Sequence, residues 1–132
     1  MIAASEQLQT AVLEKAGDAV TAIVAYDGDS HRGVYLRDDV KSRFSEAEND
    51  EIRKEFFLAA LSDPATNPDS AYFGPLEFTI RCFRNEFIAH LPVGEWTGVL
   101  VGFERREITN SAQLFDWLEA IHRDLQDGET VA

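Results

Sequence analysis

The chain has 132 residues, of which 45% are apolar and 11% aromatic, and this composition predicts one folded domain with a single hydrophobic core. Its 24 Asp and Glu residues against 12 Lys and Arg give a net charge of −12, which argues against nucleic-acid binding through basic contacts to phosphate. The sequence has no apolar run that could span a membrane, no recognisable secretory leader and one cysteine, so neither membrane insertion nor an internal disulfide is predicted.

Eight elements follow from hydrophobic periodicity and from helix start and stop signals. In chain order they are a helix at 5–16, strands at 19–26 and 31–37, a helix at 45–61, strands at 76–83, 87–91 and 99–103, and a helix at 111–127. Hairpins and a meander replace β-α-β crossovers, so this order predicts an α+β fold with helices flanking a five-stranded antiparallel sheet. A single domain then spans 1–128, and 129–132 form a short C-terminal tail.

The first half of the chain supports definite predictions for the second strand, the connection after it and the start of the second helix. Alternation in the second strand places Val34 and Leu36 on one face, and the polar residues 38–44 predict an irregular connection. Ser45 and Glu48 have the spacing of a capping box, in which each residue satisfies a backbone N–H of the other, and this predicts the start of the second helix.

The second helix is unusually apolar toward its C-terminal half. Phe56 and Ala60 belong to its inner face, and Phe57 widens that face beyond a narrow stripe. A second copy of the chain is therefore predicted to cover part of it. The following segment, 62–75, holds three of the four prolines and is long for a compact domain, which makes it a candidate functional loop.

The meander 76–103 has the densest aromatic and β-branched content. Alternation places Cys82 inward in its first strand, where a small buried residue is expected. Residues 92–98 are predicted to form a long connection carrying Trp96, which suits either an exposed interface anchor or a cover over a strand edge. Asn110 and Ser111 are then placed to cap the last helix, with Gln113 able to return a capping bond if Asn110 is the N-cap, and Gly128 ends the helix.

The stretch YDGD…YLRDDV…RFSEAE, together with the turn HLPVG, resembles a family of small, acidic haloarchaeal proteins of uncharacterised activity. The clearest positions of that resemblance are Asp27, Leu36, Arg37, Asp38 and Asp39. The order of elements also resembles roadblock/dynein light-chain and longin-type folds, relatives of the profilin-like sandwich. That second resemblance implies a fold and, by analogy alone, protein partners such as small GTPases and motor or scaffold assemblies.

The acidic residues are spread along the whole chain, and only three basic residues are lysine: Lys15, Lys41 and Lys54. A dispersed carboxylate surface suits a cytoplasm at molar salt, where a Debye length of about 3 Å screens self-repulsion. The alternative is an ordinary acidic protein of a low-salt organism.

Searches for known chemical motifs favour a protein that is not an enzyme. The sequence lacks a phosphate-binding glycine loop and the G-x-S-x-G nucleophile motif. His31, His90 and His122 stand far apart, and a single cysteine excludes the usual zinc frameworks. Cys82 and His90 could face each other across a hairpin as a nucleophile and its base, but a buried thiol is usually inert. No catalytic residue, cofactor or metal is therefore predicted.

Four of the nine arginines lie in or beside the meander: Arg81, Arg84, Arg105 and Arg106. If they share one side of the sheet, they form a basic patch on an acidic body. Such a patch suits an acidic partner, a small anion or the protein's own carboxylates, and the intramolecular alternative is favoured.

The leading hypothesis is a non-enzymatic protein-interaction or regulatory adaptor, acting as a cytoplasmic homodimer with an unknown protein partner and without nucleic-acid or membrane partners. Its dimer would form through the second helix or through edge strands. The candidate interaction residues are Phe56, Phe57, Ala60, Arg81, Trp96, Arg105 and Arg106.

One alternative is a small-ligand sensor with a pocket between sheet and helix under 62–75, favoured if a polar residue such as His90 points into the core. Another is an acidic decoy that mimics nucleic acid.

Overall fold

The computed structural model describes residues 5–28, 30–62, 72–94 and 96–131, with side chains for 7–28, 30–58, 72–94 and 96–126. The elements are α1 (Ser5–Ala16), β1 (Val20–Asp27), β2 (Ser30–Leu36), α2 (Asp38–Arg43), α3 (Glu46–Ser62), β3 (Thr79–Cys82), β4 (Glu86–Gly94), β5 (Thr97–Glu104) and α4 (Ser111–Val131). Short 3₁₀ turns at Gly17–Ala19 and Arg105–Glu107 precede β1 and follow β5.

The five strands form one antiparallel sheet in the order β2-β1-β5-β4-β3. The predicted α+β fold with a five-stranded antiparallel sheet flanked by helices is confirmed. β1 and β5 occupy the centre and are buried along almost their whole length, whereas β2 and β3 are the edges. Within the described residues, no helix is both long and apolar enough to cross a membrane.

One face of the sheet carries the larger core, which includes inward side chains of α1 and α4. Its largest fully buried members are Phe103, Ile23, Leu91, Leu118 and Ile121. The repeated apolar spacing of α4 explains this packing, because Leu114, Leu118 and Ile121 fall on one helical stripe. The predicted cap is confirmed: Asn110 Oδ1 accepts bonds from the backbone N–H groups of residues 112 and 113, at 3.0 and 3.3 Å.

The opposite face carries a smaller core under α3. Phe56 and Phe57 of this helix pack against Val24, Tyr26 and Leu100 of the central strands. The predicted capping box begins the helix, since Ser45 N–H donates to Glu48 at 2.9 Å and Glu48 N–H donates to Ser45 Oγ at 3.1 Å.

Two predictions for the first half of the chain are wrong. Ile23 pairs with Tyr35 and Val24 with Gly33, so Val34 is the extra residue of a β-bulge and does not share a face with Leu36. The expected irregular connection at 38–44 contains α2, whose first turn has two aspartates and whose last turn has Lys41 and Arg43. These charges complement the helix dipole.

The meander also departs from its predicted boundaries. β4 continues through Pro92 to Gly94, which shortens the expected connection at 92–98. Because β3 pairs with β4 only as far as His90, Pro92 lies where no strand of the described residues borders one side of β4, and its missing N–H is tolerated. Cys82 is exposed rather than buried because it ends an edge strand, and its cross-strand neighbour is Phe87 rather than His90.

The last helix is longer than predicted. α4 continues past Gly128 to Val131, so Gly128 does not end it. A glycine inside a helix costs only about 1 kcal/mol relative to alanine, which an otherwise continuous helix can tolerate.

Gly98 is required where β5 crosses beneath the ring of Tyr26. A Cβ atom at residue 98 would lie 2.5 Å from the Tyr26 hydroxyl oxygen and 2.8 Å from a ring carbon. We expect Gly98→Ala to lower the free energy of unfolding by about 1–3 kcal/mol, because the buried ring must shift. Urea denaturation measures this change.

Gly33→Ala is the matched control for that substitution. A Cβ atom at Gly33 would meet the nearest atom, on the Arg53 side chain, at 3.4 Å, and the residue lies in an exposed edge strand. We expect the urea midpoint of this variant to stay near that of the unmodified protein. Equal midpoints for both glycine variants would contradict the packing argument.

Candidate functional site

A cleft of about 950 Å³ opens on the α3 side of the sheet. Ala22 and Ile88 belong to its floor, and its walls come from α2, the first half of α3, the β3–β4 turn and the 3₁₀ turn after β5. This volume is at the upper end of the range of about 300–1,000 Å³ that is typical of small-ligand sites.

Six of the nine arginines line this cleft: Arg37, Arg43, Arg81, Arg84, Arg105 and Arg106. The carboxylates among its described lining residues are Glu55, Glu86 and Glu104. Six guanidinium groups against three carboxylates give this region a formal positive excess on a chain whose net charge is −12. The structure thus brings together the arginines of the meander and adds two from the segment around α2.

Arg37 is the best-anchored of the six. Its guanidinium donates to Asp39 at 2.5 and 2.9 Å, to Glu104 at 2.6 Å and to the backbone carbonyl of Asp18 at 2.6 Å. The bond from Arg37 lowers the pKa of both carboxyl groups, and the bond to Asp39 raises the pKa of Arg37. Only 17% of the Arg37 side chain is exposed, so this residue is part of the cleft wall.

Two further arginines share the carboxylates that Arg37 binds. Arg43 lies 3.4 Å from Asp39, and Arg106 is ion-paired with Glu104. Both are exposed, and the side chain of Arg106 is 79% accessible. The intramolecular role predicted for the basic patch therefore accounts for Arg106, together with Arg37 and Arg43.

Arg84 and Arg105 differ from these three. Both are exposed at the mouth of the cleft, and neither has a carboxylate partner within 5–28, 30–62, 72–94 and 96–131. Arg105 is nevertheless held in place, because it donates to the Phe83 carbonyl at 3.1 Å and lies 5.4 Å from the centre of the Phe87 ring. Two positively charged groups thus remain uncompensated by the described part of an acidic chain.

Glu86 is a half-buried carboxylate that lines the cleft between the sheet and α3. One of its oxygens, Oε2, accepts a hydrogen bond from the Thr21 hydroxyl, and burial raises the pKa of the Glu86 carboxyl. Gly102 leaves room for this contact, because a Cβ there would lie 2.7 Å from both bonded oxygens. Glu86 also faces Glu104 across the β4–β5 pair, a placement of like charges that costs stability.

The other predicted interaction residues lie away from this cleft or are buried in it. Phe56 and Phe57 are only 8% and 7% exposed, because they pack in the core under α3, and the dimer surface expected at these residues stays a prediction. Trp96 is 56% exposed at the β4–β5 turn, at the opposite end of these strands from Glu86 and Glu104. The side chain of Ala60 and the part of the predicted loop at 63–71 lie outside the described residues.

His90 was the polar residue whose direction bears on a ligand pocket. It points into the core, is 2% exposed, and lies with Nε2 2.7 Å from the Tyr26 hydroxyl. It is not among the residues that line the cleft. His90 therefore belongs to a buried polar pair beneath α3 rather than to the arginine-lined site.

Sequence reasoning missed three parts of this site. Arg37 was singled out only by resemblance, Arg43 was placed in an irregular connection, and Glu86 was placed in a turn. Their juxtaposition depends on the β4–β5 register and on the bulge in β2, neither of which a single strand's alternation reveals. Arg37 alone carried a signal, because it follows a strand and precedes two aspartates.

Arg37 and Arg106 bind the same carboxylate from different environments, which permits a direct comparison. We expect Arg37→Ala to lower the free energy of unfolding by about 1.5–3 kcal/mol, because it removes several charge-assisted bonds from a mostly buried group. Arg106→Ala removes one exposed pair and should cost less than about 1 kcal/mol. Urea denaturation of both variants at one salt concentration tests this, and equal losses would contradict the assigned roles.

The pKa of Glu86 predicts a pH dependence of stability. Burial raises this pKa in the folded state, so the protonated Glu86 carboxyl contributes most to stability below the ordinary Glu pKa. This contribution is lost as the pH rises through the pKa of Glu86 in the folded protein. Glu86→Gln keeps an acceptor for Thr21 but does not titrate. The unfolding free energy of the unmodified protein, minus that of the variant, should fall as the pH rises above the ordinary Glu pKa of 4.5. A difference that stays constant in urea denaturation would contradict this prediction.

The described residues contain no group of three or more His, Cys, Asp or Glu side chains that could hold a metal ion. No curated protein has a sequence that matches the chain. A family model described as "Domain of unknown function (DUF7522)" matches residues 6–123, which include all of α1 but its first residue, every element from β1 to β5, all residues named in the cleft and most of α4. The chain therefore belongs to the DUF7522 family of proteins of unknown function.

Proposed function

We propose that this protein is a binding module that captures a small anionic molecule in the arginine-lined cleft. The observation that carries the proposal is the pair Arg84 and Arg105, which have no carboxylate partner in the described part of a chain with 24 acidic residues. Guanidinium groups bind phosphate and carboxylate groups through two parallel hydrogen bonds, so they give orientation as well as attraction.

The charge of the whole chain favours a small occupant over a large one. A polyanion or an acidic protein face that reached Arg84 and Arg105 would also experience the net charge of −12 of the whole chain, and would be repelled by it. A small anion enters the basic region and leaves the acidic surface in contact with water. The cleft volume of about 950 Å³ is sufficient for such a molecule.

The cleft is a small-ligand pocket, as the sequence suggested, but it lies at a different position from the predicted one. The cleft lies between the sheet and the first half of α3, beside α2, whereas the sequence pointed to a pocket under 62–75. We assign a sensing or regulatory role, because the arginines of the cleft offer groups for binding, and the Thr21 hydroxyl, which donates to Glu86, belongs to a residue that is only 5% exposed.

A second candidate is the predicted interaction adaptor that acts as a homodimer in a high-salt cytoplasm. Trp96 supports it, because a tryptophan that is 56% exposed at a strand turn is typical of an interface anchor. The net charge of −12 supports the high-salt, haloarchaeal setting, and the sheet flanked by helices on both faces supports the roadblock-like resemblance. A monodisperse monomer in light scattering at molar KCl would contradict the homodimer.

Substitution of Arg84 and Arg105 tests the proposed anion site. We expect inorganic pyrophosphate or citrate to bind the unmodified protein in isothermal titration calorimetry. The double variant Arg84→Ala/Arg105→Ala should weaken that binding by about tenfold or more, because two charge-assisted contacts are lost. The measurement belongs at about 0.15 M KCl and again near 1 M, since exposed charges are screened by salt.

Arg123→Ala is the matched control, because it removes an exposed arginine on α4 that does not line the cleft. Its affinity for either anion should equal that of the unmodified protein. Equal weakening in the control and the double variant would show a nonspecific charge effect and contradict the site. Absence of binding by both anions at both salt concentrations would overturn the proposed function.

A further inference from the structure

Glu86 is a carboxylate in a place where a neutral side chain would serve the fold better. A glutamine could accept the Thr21 hydrogen bond without placing a second negative charge opposite Glu104. The structure nevertheless accommodates the carboxylate by having no side chain at Gly102. A carboxylate that lowers the stability of the fold and lines a cleft is a candidate for ligand contact.

The second oxygen of Glu86 is the acceptor that this contact would use. Oε2 is bound to Thr21, whereas Oε1 has no hydrogen-bond donor within the described ranges. A ligand that fills the cleft can therefore donate a hydrogen bond to Oε1. An ammonium donor suits the cleft poorly, because six arginines line the cleft and would repel its positive charge. A neutral hydroxyl group adds no positive charge.

The rest of the lining defines the other parts of such a molecule. Leu36, Phe44 and Ile52 give the cleft apolar surface, and its volume far exceeds that of a single inorganic anion. At the mouth, Arg84 and Arg105 present two positive charges, which match the charge of about −1.5 to −2 on a phosphate monoester at neutral pH. The apolar lining thus suits a carbon skeleton, Glu86 suits a hydroxyl group, and the two arginines suit a phosphate group.

We propose that the ligand is a hydroxylated organic phosphate, held through its phosphate by Arg84 and Arg105 and through a hydroxyl group by Glu86. This inference rests on the proposed anion-binding function and names the ligand class for the same cleft. Glu86 acts as the specificity-determining residue, because it distinguishes a hydroxylated phosphate from one without a donor. A ligand that covers this acceptor without donating a hydrogen bond to it loses affinity.

Two matched ligands test the role of the hydroxyl group: glycerol 3-phosphate, and propyl phosphate, which has the same carbon chain and phosphate without hydroxyl groups. Calorimetry on the full chain should show glycerol 3-phosphate binding about tenfold tighter, the effect of one good hydrogen bond to a charged group. Equal affinities for the two compounds would overturn this inference and leave the anion site intact. Binding of citrate or pyrophosphate without binding of either organic phosphate would also overturn it.

Substitution of Glu86 then assigns the preference to one residue. Glu86→Gln should reduce the ratio of the two affinities to about threefold or less, while propyl phosphate binds at least as well as before, because a negative charge is removed. Glu55→Gln is the matched control: it removes another carboxylate of the cleft and should keep the tenfold ratio. A preference unchanged in Glu86→Gln would overturn the assigned role. The comparison of ligands on the unmodified protein remains decisive if a variant fails to fold.

Discussion

The guanidinium group of Arg37 connects three parts of the chain that are distant in sequence. It binds the carbonyl of Asp18 before β1, the carboxylate of Asp39 in α2 and the carboxylate of Glu104 at the end of β5. A planar group with five donors can make these contacts together, whereas the single ammonium of lysine cannot reproduce their geometry. The separation of α2 from the end of β5, and therefore the width of the cleft, depends on this one side chain.

Local signals were sufficient to predict most of the fold. The capping box at Ser45, the cap at Asn110 and the apolar stripe of α4 each depend on residues within one or two turns, so the sequence shows them directly. The bulge at Val34 and the continuation of β4 through Pro92 depend on which strand lies alongside. A pattern within one segment does not contain that information.

The site was predicted less completely than the fold, for a related reason. The positions of Arg81, Arg84, Arg105 and Arg106 in or beside the meander predict a common patch, and the structure brings all four to one cleft. Arg43 reaches the same cleft through α2, a six-residue helix too short to produce a periodic signal. Glu86 could not be identified, because its importance comes from Gly102 and Glu104 on the neighbouring strand β5 and from Thr21 on β1, the strand beyond it.

The two carboxylates around Arg37 each have a second arginine within reach. Asp39 lies near Arg43, and Glu104 lies near Arg106, while Arg37 binds both. Ion pairs of exposed arginines contribute little to stability, so the outer arginine of each pair is free to exchange its counter-ion. Asp39 and Glu104 each keep their ion pair with Arg37 during such an exchange. Arg43 and Arg106 can therefore turn to an incoming anion without loss of the contacts by which Arg37 holds α2 and the end of β5.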